Sequence, residues 1–135
     1  MNLKDSKYGK FALVREMLET PAIIRRFDYN QASEALKAIE ETGKLFLTGE
    51  GSSRIFPAKN MRAEMMKLGA PVSIGTEGAR QAHEYDLSGF TVLGASNSGK
   101  TKEIISLFTR LKEKGHSRRF GLTAAKGSNL EALAT

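Results

Sequence analysis

Phe90-Thr91-Val92-Leu93, then Gly94-Ala95-Ser96-Asn97-Ser98-Gly99-Lys100-Thr101, then Glu103 to Lys114 is the stretch that decides how this chain folds. The first run is apolar and reads as a buried strand, the second as a loop, and the third has helical spacing. Residues 94 to 101 satisfy G-x-x-x-x-G-K-[ST], a nucleotide-loop pattern, in the strand–loop–helix setting that such a loop requires. Glycine lets backbone N–H groups approach an oxyanion closely, and a helix N-terminus adds about half a positive charge. Tight turns and N-caps use the same residue types. Three hydroxyl side chains, Asn97 and two glycines favour a phosphate over that plainer reading.

Working outward, the same alternation recurs. Apolar positions at Phe11, Leu13, Val14, Met17 and Leu18 predict a helix over residues 10–19 that Pro21 interrupts. A second helix is predicted from about Asn30 to Thr42, with Ala35, Leu36 and Ile39 inward and Gly43 ending it. Lys44 to Thr48 reads as a short buried strand that opens into Gly49-Glu50-Gly51-Ser52-Ser53. A helix from about Arg54 to Leu68 follows, with Ile55, Ala58, Met61, Met65 and Leu68 on one face. Pro71 to Ile74 reads as the second strand, and Thr76 to His83 as a loop entering a short helix. Arg119 to Thr123 reads as the fourth strand, followed by a turn and the start of a helix. Strands alternating with helices predict an α/β fold, a parallel sheet covered on both faces.

Composition narrows the class. At 135 residues, 40% hydrophobic and 27% charged, the chain is globular and of single-domain size. It has no Cys, which excludes disulfides and thiolate metal sites. No metal site and no cofactor are expected. The N-terminus from Met1 to Tyr8 has no signal-peptide core, and no stretch is long and apolar enough to span a bilayer, so a cytoplasmic protein is expected. The net charge of +6 comes from scattered basic residues, with no aromatic-interleaved stripe, so neither nucleic acid nor membrane is an expected partner. That charge is compatible with attraction of phosphorylated small molecules.

Both glycine- and serine-rich loops, 49–53 and 94–101, sit at strand ends, where open parallel sheets bind ligands. A nucleotide-hydrolysing or kinase domain also needs an acidic residue on another strand end to hold magnesium. The three aspartates, Asp5, Asp28 and Asp86, all precede the loop, and none ends an apolar strand. Only 34 residues follow Thr101, too few for the remaining strands of such a fold. A P-loop nucleotide-binding protein is therefore the second reading, behind a site for a phosphorylated small molecule.

At these residues the chain resembles the sugar isomerase (SIS) domain family. Gly49-Glu50-Gly51-Ser52-Ser53 and Ala95-Ser96-Asn97-Ser98-Gly99-Lys100-Thr101 are similar to the family's two phosphate loops, the second typically Ser-Gln-Ser-Gly-Glu-Thr. Glu16-Met17-Leu18-Glu19-Thr20-Pro21, Thr76-Glu77 and Gly127-Ser128-Asn129-Leu130 are similar, in order, to segments in the isomerase half of glutamine–fructose-6-phosphate aminotransferase. The resemblance implies a three-layer α-β-α fold with a parallel, flavodoxin-like sheet, incomplete at its C-terminal end. It implies an N-terminal helical segment over 1–43 and a phosphosugar-binding domain over 44–135, together an N-terminal portion of a larger protein.

By the same resemblance, Ser53, Ser96, Asn97, Ser98 and Thr101 bind the substrate phosphate, with Gly51, Ser52, Glu50 and Lys100 as candidate substrate contacts. Asn97 stands for Gln, a shorter amide, and Lys100 for Glu, which reverses the charge and completes the nucleotide pattern. Gly78 stands where the family often has an aromatic residue. The implied ligand is a phosphorylated sugar such as fructose 6-phosphate or glucosamine 6-phosphate, and the implied assembly a homodimer or higher oligomer. Aldose–ketose isomerisation needs a positioned base. No residue here matches the family's catalytic Glu, His and Lys, which lie in a second repeat or a partner subunit, so the catalytic residues are left open. A non-catalytic phosphosugar-sensing module uses the same scaffold. Glu50, Glu77, His83 and His116 are the internal candidates for proton transfer, each with a plainer structural role available.

Overall fold

The computed structural model describes residues 5–135; Met1–Lys4, the start of the N-terminus read above as free of a signal core, lie outside them. The chain divides into two compact units, Met1–Ser33 and Glu34–Thr135.

In the first unit, a single-turn 3-10 helix (Ser6–Tyr8) leads into α1 (Ala12–Arg25), and a second 3-10 turn follows at Tyr29–Ala32. The helix expected to stop at Pro21 runs through it for four more residues. Pro21 has no N–H for the carbonyl of Met17, but no residue of α1 is buried, so that carbonyl can turn to water. Within its own unit α1 buries no apolar side chain: Leu13 is 68% exposed and Met17 53%.

The second unit is built on four parallel strands: β1 (Lys44–Gly49), β2 (Ser73–Gly78), β3 (Thr91–Ala95) and β4 (Arg119–Leu122). Their order, β2-β1-β3-β4, is that of the first four strands of a flavodoxin-like sheet. The helices are α2 (Ser33–Thr42), α3 (Ser52–Leu68), α4 (Ala79–Ala82), α5 (Lys102–Glu113) and α6 (Asn129–Leu133). They cover both faces and complete a three-layer α-β-α arrangement. On one face Leu45 and Leu47 of β1 meet Ile39 of α2 and Ala58 and Met61 of α3. On the other, Phe46 and Val92 meet Ala79 and Ala82 of α4, Ile104, Leu107 and Phe108 of α5, and Leu130 of α6. The alternation along Leu45-Phe46-Leu47 sends successive side chains to opposite faces, and every one of them is buried.

Three details differ from the sequence reading. The second strand is shifted along the chain, so that Thr76 and Glu77, expected in a loop, pair with Leu47 and Thr48. Ladder hydrogen bonds to a buried neighbour place this polar segment; its own hydropathy gives no strand signal. On α2, Ile39 packs inward as expected, but the buried residue is Ala38, and Leu36 is 55% exposed. On α3, Ala58 is buried, whereas Leu68 is 73% exposed at the last turn before Gly69.

Candidate functional site

In an open α/β sheet the crevice for a ligand opens where the strand order reverses. Here that point lies between β1, whose chain crosses to β2, and β3, whose chain crosses to β4. The loops that leave these two strands are 49–53 and 94–101. They stand side by side: Gly49 pairs with Ala95, and a Cβ on Gly49 would lie 2.8 Å from the Ala95 carbonyl oxygen. Only glycine allows the two strand ends this approach.

The first loop turns at Gly51, where φ is +54°, and α3 begins at Ser52. Arg54 N and Ile55 N donate to the Gly51 carbonyl at 3.2 and 3.1 Å, which starts the helix. No side chain caps this N-terminus, so its first amides face outward beside Ser52 and Ser53. Glu50 points elsewhere. Its carboxylate accepts from the Ala79 backbone N–H at 3.0 Å and so holds the first residue of α4. It joins the loop to the carboxyl end of β2, where Gly78 pairs with Gly49, through one of its two carboxylate oxygens.

The second loop is tied from within. Ser96, only 3% exposed, has its hydroxyl 2.8 Å from the Thr101 hydroxyl, closing the loop across its base. That bond takes Thr101, the N-cap residue of α5, away from capping, and no side-chain cap forms there either. Ser98 Oγ accepts from Lys100 N at 3.3 Å, and Gly99 N donates to the Ser96 carbonyl at 3.1 Å. Gly99 carries the turn at φ +62°. Asn97, Ser98 and Lys100 are exposed along the rim. The structure therefore gathers Gly51, Ser52, Ser53, Ser96, Asn97, Ser98, Lys100 and Thr101 at one end of the sheet, and commits Glu50 to a structural bond.

A third loop, not singled out as a site in the sequence, supports the second. Leaving β4, Thr123 Oγ1 and Ala124 N donate to the Asn97 carbonyl at 3.3 and 3.2 Å, and Leu130 N donates to the Gly99 carbonyl at 3.1 Å. Ser128, buried, lies against Gly99 and caps α6 by accepting from Glu131 N. The signal that could have revealed it is Thr123 four residues before Gly127-Ser128, a further strand end of the same composition.

The histidines lie away from the loops. His83 is held by Arg110, whose guanidinium donates to its carbonyl and approaches Nδ1 at 3.4 Å. Arg110 is roughly 12 Å along α5 from the second loop, at the helical rise per residue. His116 Nε2 lies 3.0 Å from the Leu87 carbonyl, beyond the other end of α5. Among the described residues, no cluster of His, Cys, Asp and Glu fits a metal ion.

No protein-family model and no curated protein matches the sequence. Solved structures do share the fold. E. coli CFT073 protein c3406, solved in complex with arabinose 5-phosphate, superposes with a TM-score of 0.70 at 24% identity over 90% of this chain and 65% of its own. A hypothetical protein gives 0.69 at 21% identity, over 90% and 62%. A protein of Silicibacter pomeroyi DSS-3, provisionally described as a phosphosugar isomerase, gives 0.65 at 19% over 90% and 39%. The chain thus spans less than two-thirds of the length of each of these proteins. At these identities the likeness establishes the fold.

Proposed function

We propose that residues 44–135 are a phosphosugar-binding domain of the sugar isomerase type, preceded by a helical segment over 1–43. In this reading it serves an aldose–ketose sugar-phosphate isomerase, or an aminotransferase-related enzyme. The observation that carries the proposal is the pairing of two uncapped helix N-termini, at Ser52 and Lys102, beside the switch-point crevice. Each supplies unpaired amides and the positive end of a dipole; Ser53 and Ser98 add hydroxyl donors, Asn97 an amide, and the hydrogen-bonded Ser96–Thr101 pair one remaining hydroxyl hydrogen. A phosphate dianion is the chemical group that such an arrangement recognises. The fold shared with a protein solved with arabinose 5-phosphate supports a sugar phosphate as the ligand.

Lys100 extends from the rim with no carboxylate partner among the described residues, so it adds positive charge where the family resemblance has Glu. The phosphate is the handle by which the sugar is held; the proton transfer requires a base next to its first two carbons. Glu50 holds Ala79 through one carboxylate oxygen, and His83 and His116 lie outside the crevice. We assign the base to a second SIS repeat or a partner subunit, consistent with a dimer or larger assembly.

Thermal-shift measurements with arabinose 5-phosphate, fructose 6-phosphate and glucosamine 6-phosphate, against ATP with magnesium, test the reading. At least one sugar phosphate raises the melting temperature, and Ser96→Ala/Thr101→Ala reduces that shift while leaving a cooperative unfolding transition. Stabilisation by ATP with magnesium alone would return the loop to its nucleotide reading.

A further inference from the structure

The described residues also form a cleft of about 500 Å³ at the opposite end of the sheet from the two loops. Its wall on one side is the segment from Ala82 to Ser88, which leads into β3; on the other it is the last turns of α5 and the turn to β4. Along α5 the cleft's lining begins at Leu107, roughly 8 Å from the second loop, and ends at Lys114, roughly 18 Å from it. The volume lies in the range of small-molecule sites, about 300–1,000 Å³.

Leu87, Leu107 and Leu111 are buried apolar residues of the wall, and Tyr85 flanks them with its ring 41% exposed. Around this apolar surface stand Arg110, Lys114 and Arg118. Two of the three are fastened to backbone carbonyls: Arg110 to His83, and Arg118 NH2 to Ser88 at 2.8 Å. Fixed in place, they keep their charge and their other donors available. Arg118 Nε is buried without a partner, and so is His116 Nδ1 in the same wall. His116 Nε2 donates to the Leu87 carbonyl, because a carbonyl only accepts. Lys114 is exposed, with no ion pair among the described residues.

Two carboxylates oppose these cations. Glu84 is engaged by Gln81 Nε2 at 2.9 Å. Asp86 accepts from Ser88 N at 3.0 Å, a bond that holds its carboxyl below the usual range, with Lys114 adding to the effect. Three basic side chains stand in the wall against two acids, each already hydrogen-bonded.

We propose that this cleft is a second binding site, taking a small organic anion whose apolar ring or chain lies over Leu107 and Leu111 and whose phosphate or carboxylate meets Arg110, Lys114 and Arg118. It is independent of the phosphosugar reading, and α5 is the one element that borders both sites.

Amide chemical-shift mapping with phenyl phosphate, benzoate and benzyl alcohol tests this. At least one of the two anions is expected to shift the amides of Leu87, Ser88, Leu111 and His116 saturably, and benzyl alcohol is not. Which anion binds identifies the group preferred. Lys114→Glu, at an exposed position, should weaken the anion at least tenfold with the melting temperature unchanged, whereas Ser96→Ala/Thr101→Ala should leave these shifts intact. The proposal is overturned if neither anion moves the four amides, if benzyl alcohol moves them equally, or if Lys114→Glu binds as tightly as the parent.

Discussion

At Gly99 two separate requirements meet. The backbone sits at φ +62°, and any Cβ there would overlap the Ser128 side chain that caps α6. Gly99→Ala therefore combines left-handed strain with a steric clash against a buried neighbour. It should lower stability by about 2 kcal/mol in urea unfolding, the usual size of such effects. A loss below about 0.5 kcal/mol would mean that the third loop yields freely and does not brace the second. Lys100, next to it, is the residue at which sequence pattern and setting part company. Its spacing from Gly94 completes a nucleotide signature, yet the hydroxyl of the following Thr101 is turned inward to Ser96. Nothing in the local string of letters reveals that bond, because it depends on how the loop closes.

Among the described elements, α4 is the shortest α-helix, and its start depends on a distant side chain. Its four residues begin at Ala79, whose N–H is taken by Glu50 from 29 positions earlier. Glu50→Ala should expose that amide, and hydrogen exchange at Ala79 should accelerate at least tenfold while the central amides of α5 keep their protection. Unchanged exchange at Ala79 would remove Glu50 from its structural role and reopen it as a proton-transfer candidate. The long, periodic elements were legible in the sequence: β1, β3, α3 and α5 appear within two residues of where the apolar spacing places them. β2 was not, because Gly75-Thr76-Glu77-Gly78 has no hydrophobic alternation and becomes a strand only through its pairing with β1. Although Ile39 packs on the core as expected, the inward face of α2 was misread at Leu36 for a related reason. Its buried position is the small Ala38, so Leu36, the larger apolar residue, misleads a reading by hydrophobicity.

For the molecule as a whole, the alternation of elements implied a parallel sheet and the family resemblance its flavodoxin-like order, and the sheet has both. The loops' meeting at the switch point follows from that order. The cleft at the other end has no signature in the sequence, since its walls come from two connections more than twenty residues apart. Large apolar side chains remain exposed on α1, including Leu13, Ile23 and Ile24, and on α3, including Phe56 and Met66. Taken separately in the two units, each set is proposed as an association surface, the role that contiguous exposed apolar patches serve. Light scattering at micromolar concentration is expected to give a dimer or larger species, and Leu13→Glu/Ile24→Glu to dissociate it. A monodisperse monomer for the parent chain would contradict that assembly.

The central claim is that loops 49–53 and 94–101 together hold the phosphate of a sugar. Amide mapping with arabinose 5-phosphate, beside arabinose without the phosphate, addresses it most directly. The expected result is saturable movement of Ser52, Ser53 and the amides from Ser96 to Thr101 with the phosphate ester only. Movement confined to one loop, equal movement with the unphosphorylated sugar, or none at millimolar ligand would contradict it.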